Sequence, residues 1–316
     1  MSTGIVDSVP WMDRAREVRE MDAADVRSRE FLYEHVDSTH PCLLRGAAAD
    51  WPALVRWTSK DYLADLCGRY PVTWYPHANY LYGPHQHADE SVVTFAEALD
   101  GLFSAAREVR SLPALRVGRN GEFSELLRDV GSPAFSRATG WGKLPRGLLY
   151  EPCRFFLYTG GGGTNWHTHA GDQTLLCQIV GSKRIGLMPT TLPQYRQLRR
   201  AFERDANLRD SHAFDGIEPP AEIYRATIRP GDALYIPPHW LHGVEPCDDA
   251  FGASASLCWR SPRHVMGNLR YPAVREHWRK ALRHPARGLP VLKLLAAGLC
   301  AQLARTVRPR PKRQFE

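Results

Sequence analysis

From about Leu112 to Pro262 the chain consists of short apolar runs separated by Pro and Gly, and this pattern restricts the fold more than any other feature. Apolar runs of four to seven residues between turn-forming residues are typical of strands and too short for most helices. The predicted strands are 114–117, 154–158, 175–180, 184–189, 222–228, 233–236 and 253–259. Many short strands joined by tight turns indicate an all-β barrel or sandwich.

The segments on either side of this region have mainly helical patterns. Residues 12–40 are predicted to be helical, and the apolar run at 41–46 is predicted to be a strand. Ser59 is predicted to begin a helix, and Thr94 with Glu97 forms a capping box that opens another. Helical periodicity returns after Pro262. We therefore predict one domain and one extension, with bounds at 1–262 (lead-in 12–111, β core 112–262) and 263–316.

The C-terminal extension carries the positive charge of the chain. The formal net charge is +7, but residues 261–316 hold 13 Lys and Arg against two acidic residues, which leaves residues 1–260 acidic. No aromatic residues alternate with these basic ones, so the pattern favours a solvated helical face and predicts no nucleic-acid partner.

Cysteine usage and hydropathy argue against several further classes of protein. The seven cysteines include no C-x-x-C pair, which argues against a disulfide framework and a cysteine zinc site and predicts a cytoplasmic protein. The first thirty residues lack the pattern of a secretory signal. The longest apolar stretch, 288–304, contains Lys293 and is shorter than the ~20 residues of a membrane span, so no span is predicted.

The histidines are the strongest candidates for chemistry, because neutral imidazole is the commonest transition-metal ligand. His167 and His169 lie two residues apart between two apolar runs, and alternate side chains of a strand point to the same face. His242 is the last residue of the distant motif R-P-G-D-A-L-Y-I-P-P-H-W-L-H. These three histidines form a metal site with open positions if the barrel closes. A second H-x-H, at His85 and His87, lies in a polar loop and is predicted to be surface.

The strings GTNWHTHAGDQTLLCQIVGSKRIGLMPT and IRPGDALYIPPHWLHGVE resemble the JmjC-type, cupin-like branch of the iron(II) and 2-oxoglutarate-dependent oxygenases, in the layout of the factor-inhibiting-HIF hydroxylases. The passage PCLLRGAAADWPALVRWTSKDYLADLCG resembles the lead-in of the same family, so the resemblance covers roughly residues 30–262. It implies a mainly β fold with flanking helices and a double-stranded β-helix (jelly-roll, cupin-like) core.

The resemblance also implies a set of metal ligands. His167 matches the first ligand of the family and His242 the last. The second ligand of the family is usually a carboxylate, and its position is occupied here by His169. Asp172 is the alternative carboxylate, although it reaches the metal only if the segment after His169 bulges. Spacing favours His169 as the ligand. In the simpler cupin pattern, Thr174 stands where a fourth-ligand glutamate is usual.

Three further residues match positions that bind the cosubstrate in the resembling hydroxylases. Lys183 matches the lysine that pairs with the distal carboxylate of 2-oxoglutarate, and Thr164 matches a hydroxyl that binds the same carboxylate. Gln173 is a weaker match in the same region. A lysine on a barrel strand is costly to bury without an anion, which independently favours an acidic ligand beside the metal.

The activity that the resemblance implies is hydroxylation of a C–H bond in a peptide side chain or small metabolite, with Fe(II), 2-oxoglutarate and O2. It also implies a homodimer formed through the C-terminal helices. Two alternatives remain open: a three-histidine dioxygenase that uses O2 without 2-oxoglutarate, and a non-catalytic cupin-like module that binds zinc or no metal.

Overall fold

The computed structural model describes residues 4–26, 31–36, 38–74, 91–104, 112, 114–117, 122–131, 153–160, 162–169, 173–189, 216–238 and 240–259, together with residues 197, 283, 289, 296 and 300. Three groups of predictions lie outside the described residues: the His85 and His87 pair, Asp172, and nearly all of the C-terminal extension.

The described strands are β1 (Arg16–Glu17), β2 (Glu20–Asp22), β3 (Cys42–Arg45), β4 (Pro71–Trp74), β5 (Ser91–Thr94), β6 (Leu115–Val117), β7 (Cys153–Tyr158), β8 (Thr164–His167), β9 (Gln173–Val180), β10 (Lys183–Pro189), β11 (Tyr224–Ile228), β12 (Ala233–Ile236), β13 (Trp240–Pro246) and β14 (Gly252–Trp259). The described α-helices are α1 (Ala53–Arg56), α2 (Lys60–Cys67) and α3 (Phe95–Phe103). Short 3-10 helices lie at Val6–Ser8, Met12–Arg14 and Ser124–Arg128, and a π-helix at Phe31–Val36.

Strands β7 to β14 form the core and are shared between two sheets. One sheet has the order β1-β11-β10-β13-β8 and the other β2-β3-β12-β9-β14-β7-β6. All pairs among β7 to β14 are antiparallel. Successive strands alternate between the sheets, except that β10 and β11 pair with each other within one of them. This is the double-stranded β-helix that the sequence predicted, and the expected fold class is confirmed.

The N-terminal segment extends both sheets instead of forming the long helix predicted for residues 12–40. Strand β1 pairs in parallel with β11, and β2 pairs in parallel with β3. The helical prediction is wrong there because the edges of β11 and β3 offer backbone partners that a local pattern cannot reveal. The predicted caps agree with the structure. Ser59 accepts from the backbone N–H of Tyr62, and Thr94 and Glu97 form the reciprocal capping box.

The two faces of the seven-stranded sheet have different roles. Its outer face packs against the helices in one apolar cluster that includes Trp57, Phe95, Phe155 and Leu257. Its inner face lies opposite the five-stranded sheet, and an apolar cluster with Leu176, Ile185, Leu187, Leu234 and Val244 fills part of that space. Polar side chains, among them Thr174, Lys183 and Ser254, occupy other inward positions. Among the described residues, no helix is long and apolar enough to cross a membrane.

Candidate metal centre

The inner chamber is the space between the two sheets lined by the inward-facing side chains of β7, β8, β9, β10, β13 and β14. His167, the last residue of β8, pairs directly with His242 of β13. Cross-strand partners have side chains on the same face, so both imidazoles point into the inner chamber. The centroids of their rings are 4.1 Å apart.

His169 joins the pair from beyond the strand. We predicted that β8 carries both histidines, whereas the strand ends at His167. The Nε2 atom of His169 nevertheless lies 3.3 Å from Nε2 of His167. One donor atom of each of the three histidines lies within 4.8 Å of the other two. Donor atoms that share a metal at ~2.1 Å are separated by about 3.0–3.4 Å, so the donor set fits a first-row metal ion.

Hydrogen bonds at Nδ1 orient two of these imidazoles. Nδ1 of His167 lies 2.9 Å from the carbonyl oxygen of Asn165, and Nδ1 of His242 lies 3.0 Å from that of Trp240. A carbonyl oxygen can accept but not donate, so each Nδ1 carries the proton. The lone pair of each Nε2 then faces the centre of the cluster, as in histidine sites that bind metals.

The third imidazole is oriented by a side chain. Nδ1 of His169 lies 2.7 Å from the hydroxyl oxygen of Thr174, the residue at the fourth-ligand position of simpler cupins. Thr174 is buried and lies 3.7 Å from the sulfur of Cys258. Thr174 therefore supports a histidine through its hydroxyl, a role different from that of a ligating glutamate.

All three histidines are held neutral. Burial, with a smaller contribution from the positive charge of Arg154, lowers the pKa of His167 to about 4. Burial, again the largest cause, also holds the pKa values of His169 and His242 well below the usual value. Neutral imidazole is the form that coordinates a metal, so the cluster is ready for a cation at neutral pH.

Lys183 faces the same chamber from the first position of β10. It alternates with Ile185 and Leu187, and Leu187 pairs directly with His242. The backbone of Lys183 therefore lies four residues, about 13 Å along β10, from the position that pairs with His242. Its ammonium donates to the hydroxyl of Ser254 at 2.8 Å and lies 4.1 Å from the centre of the Tyr158 ring. Burial lowers the pKa of Lys183 to about 7.

A register shift brings Thr164 to the same face as His167. The two residues are three positions apart, and strict alternation would put them on opposite faces. Their partners on β13 are Val244 and His242, which are two positions apart, so β8 contains a bulge that absorbs the extra residue. Thr164 thus shares a face with Val244 and His167.

Gln173 is not brought to the cluster. The side chain of Thr174 points to His169, so its neighbour Gln173 points to the other face of β9. There its side-chain oxygen lies 3.4 Å from the hydroxyl of Tyr235, a residue of the outer apolar cluster. Gln173 lies close to His169 along the chain, which explains the weak match in the sequence. Neighbouring residues of a strand point to opposite faces, however, so Gln173 points away from the cluster to which Thr174 points.

Ser254, Ser256 and Arg154 were not recognised from the sequence as residues of the site. Strand β14 alternates small apolar residues with Ser254, Ser256 and Cys258, and the structure directs the polar set inward. Strand β7 likewise directs Arg154 toward Ser256, its direct partner on β14. The A-S-A-S-L-C alternation was the available signal, because small polar residues on one face of a buried strand indicate a polar lining.

The fold and the histidine cluster define a double-stranded β-helix protein with a candidate metal centre between its sheets. Comparison with protein families agrees: residues 28–268 match the model of the cupin-like domain. The chain belongs to the cupin-like domain family, as the motifs predicted.

Three relatives show how far the similarity extends. The chain is 25% identical over 259 residues to Jumonji C domain-containing protein 5 of Drosophila melanogaster, an alignment of 77% of this chain and 60% of the relative. It is 25% identical over 239 residues to Lysine-specific demethylase JMJ30 of Arabidopsis thaliana, covering 72% of this chain and 52% of the relative. A shorter match, 32% identical over 112 residues, covers 33% of this chain and 11% of tRNA wybutosine-synthesizing protein 4 of Aspergillus oryzae. The chain thus spans 60% or less of the length of these curated relatives.

Proposed function

We propose that this protein is an iron(II)- and 2-oxoglutarate-dependent oxygenase that hydroxylates a C–H bond of a peptide side chain or small metabolite. The observation that carries the proposal is the buried ammonium of Lys183, which shares the inner chamber with three neutral histidines. A buried cation requires an anion, and a dicarboxylate can connect the ammonium with a metal at the histidines. A cupin-like relative named as a demethylase supports the same class of chemistry.

In this proposal His167, His169 and His242 hold the iron, with Thr174 fixing the orientation of His169. Lys183, held by Ser254, binds the distal carboxylate of 2-oxoglutarate, and the hydroxyl of Thr164 assists. When bound, iron(II) activates O2 so that 2-oxoglutarate is converted to succinate and CO2 while one oxygen atom enters the substrate. Leu176, Ile185 and Leu187 supply an apolar wall that excludes water and strengthens the interactions of these charges.

Turnover tests the reaction directly. Purified protein supplied with iron(II), ascorbate and 2-oxoglutarate should release succinate, and Lys183→Ala should raise the 2-oxoglutarate requirement ten-fold or more while metal content stays unchanged. Absence of both succinate release and measurable 2-oxoglutarate binding in iron-loaded protein would refute the proposal.

Metal analysis tests the ligand set. His167→Ala, His169→Ala and His242→Ala should each lose most of the bound iron or cobalt, and Asp172→Ala should retain it. The matched controls are His85→Ala and His87→Ala, which alter a second H-x-H. Loss of metal from the Asp172 variant with retention by the His169 variant would instead assign a two-histidine, one-carboxylate site.

A three-histidine dioxygenase that does not use 2-oxoglutarate is the second candidate. The position of His169 in the cluster favours this candidate, because its imidazole is neutral where a carboxylate would be negative. With three neutral ligands, the charge of the metal must be balanced by the substrate. Unchanged turnover and 2-oxoglutarate binding in Lys183→Ala would select this candidate. Zinc bound at full stoichiometry without any O2 consumption would select a non-catalytic module.

Two further proposals concern the whole protein and rest on the sequence. We place it in the cytoplasm because its cysteines form no recognisable disulfide pattern. We also propose a homodimer through residues 263–316, by analogy with the resembling hydroxylases. Light scattering of the full chain measures the mass in solution, and a monomer at micromolar concentration would contradict the dimer.

A further inference from the structure

The inner chamber contains a buried thiol that has no part in the proposed function, that of Cys258 on β14. Its sulfur lies 3.7 Å from the hydroxyl oxygen of Thr174 and 3.4 Å from that of Ser256. Thr174 and Cys258 are direct partners on β9 and β14, which brings both side chains to the same face of the sheet. The thiol therefore lies one contact beyond the hydroxyl that orients His169.

The hydrogen bond between His169 and Thr174 can run in two directions, and only one of them suits a metal. Nε2 of His169 lies 3.3 Å from Nε2 of His167, so Nε2 is the atom of His169 that faces the other donors. A metal at Nε2 requires the proton to be on Nδ1, which then donates to the oxygen of Thr174. In the reverse direction Thr174 donates to Nδ1, and the proton on Nε2 blocks the lone pair that a metal needs.

The metal-binding direction leaves the proton of the Thr174 hydroxyl in need of another acceptor. Thr174 is buried, and a buried donor without an acceptor is costly. Among the described residues, the sulfur of Cys258 is the other hydrogen-bonding atom within reach of this hydroxyl. A thiol can both accept and donate, and the hydroxyl of Ser256 is in turn a partner for it. The three side chains beyond His169 thus form a chain of hydrogen bonds that can run in the metal-binding direction.

We propose that Cys258 is a positioning residue of the metal centre. Its sulfur accepts from the hydroxyl of Thr174 and thereby favours the tautomer of His169 that presents Nε2 to the metal. This inference rests on the proposed function only for a metal at the three histidines, and it involves neither 2-oxoglutarate nor turnover. Hydrogen bonds in a chain strengthen one another, so a weak acceptor at its far end still affects the first bond.

The experiment measures cobalt affinity by titration in variants of the thiol. Cys258→Ala should lower the affinity about three- to ten-fold, less than a loss of the Thr174 hydroxyl, because sulfur is a weak acceptor. Cys258→Ser should restore most of the affinity, since its hydroxyl can accept. Cys258→Val, which fills the space without an acceptor, should not restore it. Cys177→Ala is the matched control, because it removes a buried thiol that lies in the outer apolar cluster.

Two further measurements separate positioning from packing. In a Thr174→Val background, Cys258→Ala should cause no additional loss of cobalt affinity, because the hydroxyl through which the thiol acts is absent. In zinc-loaded protein, the Nδ1 proton of His169 should exchange with water faster in Cys258→Ala than in the wild type, as observed by proton NMR. In Cys177→Ala it should exchange at the wild-type rate.

Several outcomes would overturn the inference. Unchanged cobalt affinity in Cys258→Ala, or losses that add to those of Thr174→Val, would show that the thiol does not act through Thr174. If Cys258→Ala does not fold, the Ser and Val variants decide the question, and equal affinities of these two would remove the role of the acceptor. Absence of succinate release together with the expected cobalt affinities would refute the proposed function and leave this inference standing.

Discussion

At the scale of single residues, the candidate centre depends on hydrogen bonds at the far nitrogen of each histidine. Two of these bonds go to backbone carbonyl oxygens, which no substitution of a side chain removes. The third goes to the hydroxyl of Thr174. A substitution of Thr174 can therefore change the orientation of the His169 imidazole while His169 itself stays unchanged.

Replacing Thr174 by Val should weaken metal binding about 10- to 100-fold, the range for removing a partner that orients a metal-binding histidine. The methyl group keeps the volume but leaves Nδ1 of His169 without its acceptor. Cobalt titration measures the affinity, and Thr73→Val on the separate β4–β5 sheet is the matched control. Unchanged affinity in Thr174→Val would exclude His169 from the donor set.

Lys183 should make 2-oxoglutarate binding depend on pH in a defined direction. Burial lowers the pKa of free Lys183 to about 7, and a bound carboxylate raises it again. The ligand binds the protonated ammonium, so its affinity should be constant below about pH 7 and decline by up to ten-fold per pH unit above it. Calorimetric titrations between pH 6 and 9 measure this.

Lys183→Arg is the matched variant, because its guanidinium stays charged across the whole range. Its affinity, even if lower, should be independent of pH. A wild-type affinity that stays flat up to pH 9 would contradict the lowered pKa of Lys183.

At the scale of elements, the position of β8 is fixed by Trp166, whose side chain points away from the candidate metal centre. The indole of Trp166 lies against Gly186 and Gly243, which face each other on β10 and β13, and a Cβ at either glycine would overlap the indole ring. The indole N–H donates to the carbonyl oxygen of Ile5 at 2.8 Å. Since His167 follows Trp166 directly, the outer packing of the indole helps to set the direction of the inner imidazole.

Gly243→Ala should therefore reduce both stability and metal affinity. The added methyl group forces Trp166 outward, at a cost of about 1–3 kcal/mol, and moves His167 with it. Urea unfolding and cobalt titration measure the two effects. In a Trp166→Leu background the same substitution should cost less, because the smaller side chain leaves room. Additive effects of the two substitutions would indicate that the glycine and the indole act independently.

At the scale of the whole molecule, burying neutral histidines makes the metal-free protein sensitive to acid. His35 is 3% exposed, and its Nε2 atom is buried without a hydrogen-bond partner among the described residues. Burial lowers the pKa of His35 to about 4, as it does for His167. The unfolded chain takes up a proton near pH 6.5 while the folded chain does not, so stability is complete above about pH 6.5 and is lost as the pH falls toward 4.

Between pH 6.5 and 5 each such histidine should lower the free energy of unfolding by about 2 kcal/mol. Urea unfolding of the metal-free protein at several pH values measures the slope. His35→Gln should remove the part of this pH dependence that comes from His35. His40→Gln, which alters a half-exposed histidine, is the matched control. A pH slope that His35→Gln leaves unchanged would contradict the assignment.

The sequence by itself determined most of the core strands, the helix caps and the family, because these depend on neighbours along the chain. Short apolar runs and turn residues predicted an all-β barrel or sandwich, and the family resemblance of the two histidine motifs implied the double-stranded β-helix. Ser59 and Thr94 were identified as caps from spacing alone. Such features are local, so they can be derived without knowing which strands pair.

The tertiary structure decided which side chains share the inner chamber. Only pairing between distant strands set His167 opposite His242, and only the bulge in β8 returned Thr164 to their face. Pairing also turned residues 16–22 into edge strands, directed Gln173 away from the cluster, and brought Arg154 to a level beside it. Register is not a local property, because shifting a strand by one residue reverses every side chain on it. The sequence motifs therefore identified the candidate metal ligands, whereas the packing of the two sheets decided which side chains surround them.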